Sequence, residues 1–113
     1  MASSSNITNK VYKNLGKSEV ELITTAFNQK AACVGLSFAN LTQSTVRASV
    51  FVTDDTSVKG YYLKEVAVPP NASLRVINGG EKLLLAPENT VSVLCDTNNG
   101  LDVVFSLVVI TYT

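Results

Sequence analysis

The chain has 113 residues, which suits one domain, and 46% of them are hydrophobic, enough to fill one core. Charged residues make up 16%, the formal net charge is zero and no run of lysine or arginine occurs, so we expect no nucleic-acid partner. Histidine is absent, which excludes Ser-His-Asp and Cys-His catalysis and removes the commonest transition-metal ligand.

Residues 1–18 predict an N-terminal arm, either disordered or packed on a neighbour. The first ten residues are small and polar and lack the apolar segment of a signal peptide, so we expect synthesis and assembly in a cytoplasm. No apolar run is long enough to cross a bilayer as a helix, so we expect no membrane partner. Three apolar side chains of the arm, Val11, Tyr12 and Leu15, are its predicted contacts with other protein.

Residues 19–113 predict a single β-sandwich domain. Alternating apolar residues and turn signals recur at the spacing of an antiparallel sandwich of about eight strands, jelly-roll-like or immunoglobulin-like in topology. The turn Asn78-Gly79-Gly80 predicts a hairpin between its two flanking strands, because Asn and Gly tolerate positive φ. The predicted strands are EVELITT, KAACVGLSFAN, TVRASVFVTDD, GYYLKEVAVPP, SLRVI, EKLLLA, TVSVLCD and the segment that closes the chain.

Alternation also assigns side chains to faces of the predicted strands. In KAACVGLSFAN it places Ala32, Val34, Leu36 and Phe38 on one face and Cys33, Gly35 and Ser37 on the other. In the two strands TVRASVFVTDD and TVSVLCD the predicted inward residues are Val46, Ala48, Val50, Val52, Val91, Val93 and Cys95. Phe51 and Leu94 are the apolar residues predicted to point outward from these two strands.

Cys33 and Cys95 lie in apolar, strand-like segments. They are either a disulfide between sheets or two buried free thiols, and the missing export signal favours free thiols.

The polar candidates point to no catalytic, cofactor or metal site. Asp54-Asp55 lies in a loop without calcium-binding spacing, which indicates a solvated turn. Asp96 and Asp102 flank the last hairpin, where like charges directly opposed are unfavourable, so we expect them to point to solvent or to meet lysines. The pair Tyr61-Tyr62 is the aromatic cluster that a sugar-binding surface would use.

The last strand is apolar on both faces. Val103, Phe105, Leu107 and Val109 form a standard core stripe on one face. The other face carries Val104, Val108, Ile110 and Tyr112, where a half-buried strand would carry polar residues. We therefore expect this second face to be covered, by the arm or by another subunit, and these four side chains are the predicted subunit interface.

Several features follow one another along the chain: the strand-ending Asn40, the corner Pro69-Pro70-Asn71-Ala72-Ser73, the hairpin turn Asn78-Gly79-Gly80, the strand start from Lys82 to Pro87 and the apolar last strand. Through these segments, from about Glu19 to Tyr112, the chain resembles small β-sandwich virion proteins of tailed bacteriophages. Its Glu88-Asn89 departs from the Gly-Asp that this family has before the penultimate strand.

The resemblance implies a non-enzymatic structural protein of a phage virion, in particular a capsid decoration or cement protein assembled in the host cytoplasm. Its implied partners are other copies of the chain, with a trimer favoured, and the major capsid protein. A neck or tail accessory ring is the structural alternative. A carbohydrate- or host-binding module that uses Tyr61 and Tyr62 is the alternative from another functional class.

Overall fold

A computed structural model describes residues 3–77 and 82–112. These residues contain nine β-strands, and none of them forms a helix long and apolar enough to cross a membrane. The strands are β1 (Ser3–Leu15), β2 (Val20–Thr24), β3 (Gln29–Asn40), β4 (Val46–Thr53), β5 (Lys59–Val68), β6 (Ser73–Ile77), β7 (Leu83–Leu85), β8 (Thr90–Cys95) and β9 (Leu101–Tyr112).

The strands form two antiparallel sheets, which confirms the predicted all-β sandwich. Sheet A has the order β1-β9-β3-β6, with β7 also paired to β3, and sheet B has the order β2-β8-β4-β5. The first strand therefore pairs with the last, the second with the penultimate, the third with β6 and β7, and the fourth with the fifth. This nested pairing is a jelly roll, so the immunoglobulin-like alternative is wrong.

Strands β6 and β7 are two pieces of one edge strand. β6 pairs with the second half of β3, where Leu36 faces Ile77, and β7 pairs with the first half, where Cys33 faces Leu83. Both pieces run in the same direction along β3, so the predicted hairpin between them is wrong. The predicted turn Asn78-Gly79-Gly80 lies outside the described residues. With β6 and β7 taken together, the described strands make the eight-stranded pattern of a jelly roll.

The hydrophobic core lies between the two sheets. Sheet A contributes the predicted stripe of β9, and its Val103, Phe105 and Leu107 are fully buried. Sheet B contributes alternate residues of β4 and β8, where the predicted inward positions are confirmed; Val52 is half-buried and packs against the core. The fully buried hydrophobic residues of these two strands are Val46, Ala48, Val50, Val91, Val93 and Cys95.

Strand β3 contains a bulge that the alternation did not predict. Its pairing with β9 shifts by one residue between Cys33 and Gly35. An extra residue moves every side chain before it to the opposite face. Ala31 and Cys33 therefore share the core with Leu36 and Phe38, and the prediction that Ala32 and Val34 lie on the same face as Leu36 and Phe38 is wrong.

The segment predicted as an arm includes the longest strand of the described residues. β1 pairs with β9 from Ser3, opposite Tyr112, to Leu15, opposite Leu101. Residues 3–15 thus form one edge of sheet A. The division of the chain at residue 18 stays a prediction.

Candidate functional site

The outer face of sheet B is covered by the chain's own side chains. Phe51 points outward there, as predicted, yet it is only 8% exposed. The Tyr61 ring packs on it with 4.6 Å between ring centroids, and the Lys59 ammonium lies 4.4 Å from the Phe51 centroid. The chain's own Tyr61 and Lys59 therefore cover Phe51.

An ion-pair network continues this cover across sheet B. Lys59 forms a salt bridge with Glu19, which precedes β2, and the Ser92 hydroxyl donates a hydrogen bond to Glu19 Oε2 at 2.9 Å. The hydrogen bond from Lys59 is the main reason that the pKa of Glu19 lies below its ordinary value, with smaller contributions from Ser92 and from the charge of Lys59. Because Glu19, Ser92 and Lys59 belong to different segments, the network ties together three strands of sheet B.

The lowered pKa of Glu19 predicts a pH dependence of stability. A carboxyl group whose pKa is lower in the folded state stabilises the fold above its unfolded pKa, and the stabilisation is lost as the pH falls through the folded pKa. We expect Glu19→Gln to reduce stability near neutral pH by less than about 1 kcal/mol, since exposed ion pairs are weak, and to have no effect in acid. Thermal unfolding of both proteins from neutral pH downward measures this, with Glu21→Gln as the matched control. An equal loss at every pH would contradict it.

The outer face of sheet A is apolar and open. One row across the sheet joins Ile7, Val108, Ala32 and Leu84, each directly opposite the next on neighbouring strands. Ile7 is 85% exposed and Leu84 is 71% exposed. We call the outward side chains of this sheet the apolar face. Its apolar members are Ile7, Val11, Ala32, Leu84, Val104, Val108, Ile110 and Tyr112.

The described residues place no charged side chain at the centre of the apolar face. Between its rows lie Asn9 and Ser106, which face each other on β1 and β9, and the Ser106 hydroxyl donates a hydrogen bond to Asn9 Oδ1 at 2.8 Å. These two polar groups thus partly satisfy each other. Charged residues stand at the periphery. Lys30 lies opposite Ile110, Arg75 ends the row that contains Val104, and Asp102 lies farther along β9. An apolar centre with a charged rim is the usual anatomy of a protein interface.

All four predicted interface residues lie on this face. Val104 is exposed, while Val108, Ile110 and Tyr112 are half-buried. The Lys30 ammonium stands 5.1 Å from the centroid of the Tyr112 ring and covers part of it.

The sequence did not reveal the contributions of β1 and β7 to the apolar face. Ile7 is the single apolar residue in a polar segment, and Leu84 is the middle of three leucines whose outer members point inward. In both cases a lone outward residue in a short segment leaves no alternation to detect.

The three predicted arm contacts lie in different surroundings. Leu15 is buried in the core, and the Tyr12 hydroxyl donates a hydrogen bond to the Leu22 carbonyl at 2.9 Å. Both side chains therefore serve the chain's own sandwich. Val11 is 63% exposed on the apolar face and is the one of the three that is free to contact a neighbour.

The predicted acidic candidates accept hydrogen bonds from the chain itself. Asp54 Oδ1 accepts hydrogen bonds from the Thr56 hydroxyl and from the backbone N–H groups of Thr56 and Val58, and the Thr56 hydroxyl contributes most to lowering the pKa of this carboxyl. Asp96 and Asp102 accept hydrogen bonds from the backbone rather than from lysines. Among the described residues no group of three His, Cys, Asp or Glu side chains stands close enough to hold a metal ion.

The two tyrosines do not form a shared platform for a sugar ring. Tyr61 is 55% exposed on the outer face of sheet B, with the Lys64 ammonium 5.4 Å from its ring centroid. Tyr62 points the other way and packs against the core.

Both cysteines are buried free thiols. Desolvation raises the pKa of Cys33 to about 12. It is also the main cause of the raised pKa of Cys95, whose thiol lies 3.1 Å from the Thr97 carbonyl oxygen. A raised pKa and burial keep both groups in the unreactive thiol form.

No protein-family model and no curated protein sequence matches the chain. Solved structures match it in fold. A protein of the structure "Bacillus endospore appendages form a novel family of disulfide-linked pili" aligns with a TM-score of 0.58 and 9% identity over 96% of this chain and 87% of that one. A VP2 protein of infectious bursal disease virus, from derived T=1 particles, aligns with a TM-score of 0.50 and 8% identity.

The match to the VP2 protein covers 97% of this chain but 32% of the VP2 chain, so the present chain spans about a third of that protein. A chain from the infectious bursal disease virus Gx strain gives a similar match, with a TM-score of 0.50 and 4% identity over 98% of this chain and 33% of that one. The structural neighbours of this fold thus include a pilus protein and virus proteins.

Proposed function

We propose that the chain is a non-enzymatic structural subunit that assembles with other copies of itself through the apolar face of sheet A. One observation carries the proposal, the contrast between the two outer faces of the sandwich. Sheet B covers its outward Phe51 with Tyr61 and Lys59, whereas sheet A leaves Ile7 and Leu84 largely in water. Contiguous exposed apolar patches of more than a few hundred Å² are rare on monomers and mark interaction sites.

The energetics favour a contact between large areas of this face. Full burial of one Val, Leu or Ile side chain is worth about 1.5–3 kcal/mol. The four most exposed members, Ile7, Leu84, Val11 and Val104, all retain 42% or more of their surface in water. Burying all four would offset a large part of the cost of association, which is at least about 4 kcal/mol. The peripheral Lys30, Arg75 and Asp102 can stay hydrated at the rim.

Within this role, we propose a capsid decoration or cement protein of a phage virion, assembled in the host cytoplasm, with a trimer as the expected oligomer. The major capsid protein is the proposed partner. Support comes from the sequence resemblance and from the fold likeness to a pilus protein and to a protein of virus-derived particles. A neck or tail ring uses the same kind of contact and is the second structural candidate.

Changing Leu84 and Val104 to serine tests the self-association. Both side chains are exposed, so Leu84→Ser/Val104→Ser should keep the fold and weaken the assembly by removing apolar area from the contact. We expect the double variant to sediment as a lighter species than the parent protein at equal concentration, with an unchanged circular dichroism spectrum.

Val58→Ser is the matched control, because Val58 is equally apolar and 64% exposed but lies in the loop before β5. The control should assemble like the parent protein. A folded Leu84→Ser/Val104→Ser variant with the parent's mass would overturn the proposed contact.

A further inference from the structure

Strand β1 presents an open edge. It is the first strand in the order of sheet A, so one side pairs with β9 and the other has no strand beside it among the described residues. Its pairing with β9 runs without a shift from Ser3 to Tyr12. The free side thus offers a regular row of backbone N–H and C=O groups, the kind of edge that pairs with another chain.

The other described edges carry features that hinder such pairing. β2 has five residues, and its pairing with β8 shifts between Glu21 and Ile23. β5 pairs irregularly with β4, and its Glu65 has a φ of 49°. The edge made by β6 and β7 is split into two short pieces. By contrast, residues 3–9 of β1 contain no charge and no proline, the two residue types that usually protect an edge.

We propose that β1 pairs antiparallel with β1 of a second copy, about a two-fold axis at Asn9. This inference rests on the proposed assembly role and adds a second contact to it. In this register Asn9 of one copy lies opposite Asn9 of the other. Ile7 of each copy then lies opposite Val11 of the other copy. The regular overlap in this register runs from Asn6 to Tyr12, because β1 has an irregularity between Tyr12 and Leu15, where Asn14 has a φ of 56°.

Two neighbouring registers of the β1 pair also keep the apolar faces of both copies on the same side of the sheet, but they bring less favourable side chains opposite each other. A centre at Thr8 places Ile7 opposite Asn9 and Val11 opposite Ser5. A centre at Lys10 places two ammonium groups opposite each other, which is unfavourable. The Asn9 centre instead places Lys10 opposite Thr8. It is therefore the register that pairs apolar with apolar and separates the lysines.

This pairing also joins the apolar faces of two copies into one surface. Directly opposite residues of antiparallel strands share a face, so Ile7 and Val11 of both copies meet on the outer side of a continuous sheet. A two-fold contact of this kind is self-complementary and closed. The backbone edge and the outward side chains are different parts of sheet A, so both contacts can form in one assembly.

Cysteine cross-linking tests the register. Directly opposite residues have Cα atoms about 4.5–5.5 Å apart, within the range of a disulfide. Asn9→Cys should therefore form a disulfide-linked dimer under mild oxidation, seen on a non-reducing gel at twice the 12.0 kDa of the chain. Cys33 and Cys95 are at most 1% exposed and should give no background.

Two further cysteine variants test whether the two-fold axis passes through Asn9. Ile7→Cys alone should not link to itself, because its two Cα atoms would be about 13 Å apart at 3.3 Å per residue. A mixture of Ile7→Cys and Val11→Cys proteins should link. Self-linking of Ile7→Cys as efficient as that of Asn9→Cys, or no linking of Asn9→Cys and of the mixture, would overturn the inference.

The two experiments distinguish the proposed β1–β1 contact from the proposed contact through the apolar face. If Leu84→Ser/Val104→Ser dissociates the assembly while Asn9→Cys never cross-links, the proposed function stands and the edge pairing is wrong. If Asn9→Cys cross-links while Leu84→Ser/Val104→Ser leaves the mass unchanged, the edge pairing stands and the apolar-face contact is wrong.

Discussion

Replacing Phe105 with alanine should lower the free energy of unfolding by about 3–5 kcal/mol, the range for removing a buried phenylalanine ring. Phe105 is fully buried and lies on β9, the strand of sheet A that pairs with both β1 and β3. Its opposite residues are Lys10 and Leu36, so the cavity would open where three strands meet. Well-packed strands on both sides restrict the collapse of that cavity.

Urea denaturation followed by circular dichroism measures the Phe105→Ala effect. Val104→Ala, one residue earlier on the same strand, is the matched control because this side chain points to the exposed face. The control should change the free energy of unfolding by about 0.5 kcal/mol or less. Equal effects at the two positions would mean that the faces of β9 are assigned wrongly.

Asn40→Ala should be the second strongly destabilising change, at about 2–4 kcal/mol, because buried groups left without partners cost about 1–3 kcal/mol each. Asn40 ends β3 and is 5% exposed. Its Nδ2 donates hydrogen bonds to the carbonyls of Ser44, Val68 and Pro69 at 2.8, 2.9 and 3.0 Å. Since Val68 ends β5, these bonds tie sheet A to sheet B at one corner.

Asn40 Oδ1 completes the corner by accepting hydrogen bonds from the backbone N–H and the hydroxyl of Thr42, both at 2.8 Å. Asn40→Asp keeps these acceptors and loses the donors, so it should be nearly as unstable as Asn40→Ala. Gln43→Ala, at an exposed position in the same loop, is the control. Chemical denaturation that finds Asn40→Ala as stable as the Gln43 control would contradict the structural role of this side chain.

Alternation predicted the buried stripe of β9 and the inward residues of β8, because the extra residues at their register shifts lie on the partner strands and both strands alternate without interruption. It failed at β3, where the bulge between Cys33 and Gly35 exchanges the faces. Gly35 is the local signal for that bulge, because a glycine inside a strand often marks one, but the alternation by itself does not show it. The choice of a jelly roll depends on which distant strands pair, and short-range signals do not carry that information.

The apolar face could be predicted only in part, because its composition also depends on which distant strands pair. The doubly apolar β9 pointed to Val104 and Val108, and both lie there. Ile7 joins them because a polar, arm-like segment pairs as an edge strand with β9, an effect of tertiary context that overrides composition. Leu84 joins them because β7 pairs with β3 and does not form a hairpin with β6.

Sheet A, with an apolar outer face and a regular open edge, is the part of the sandwich suited to contact with other copies. Sheet B has its outer face closed by Glu19, Lys59 and Tyr61 and its edges broken by irregular pairing. This asymmetry predicts assemblies in which sheet B faces solvent or a different partner.

The mass of the purified protein, measured by light scattering after gel filtration, tests the assembly most directly. Self-association through sheet A predicts a species heavier than one 12.0 kDa chain. A trimer, or a hexamer in which the Asn9→Cys cross-link joins two trimers through β1, would support the cement protein. A ring of six or twelve copies without that cross-link would support the neck or tail alternative. A folded protein that elutes as a 12.0 kDa monomer at every concentration would contradict self-association as its function.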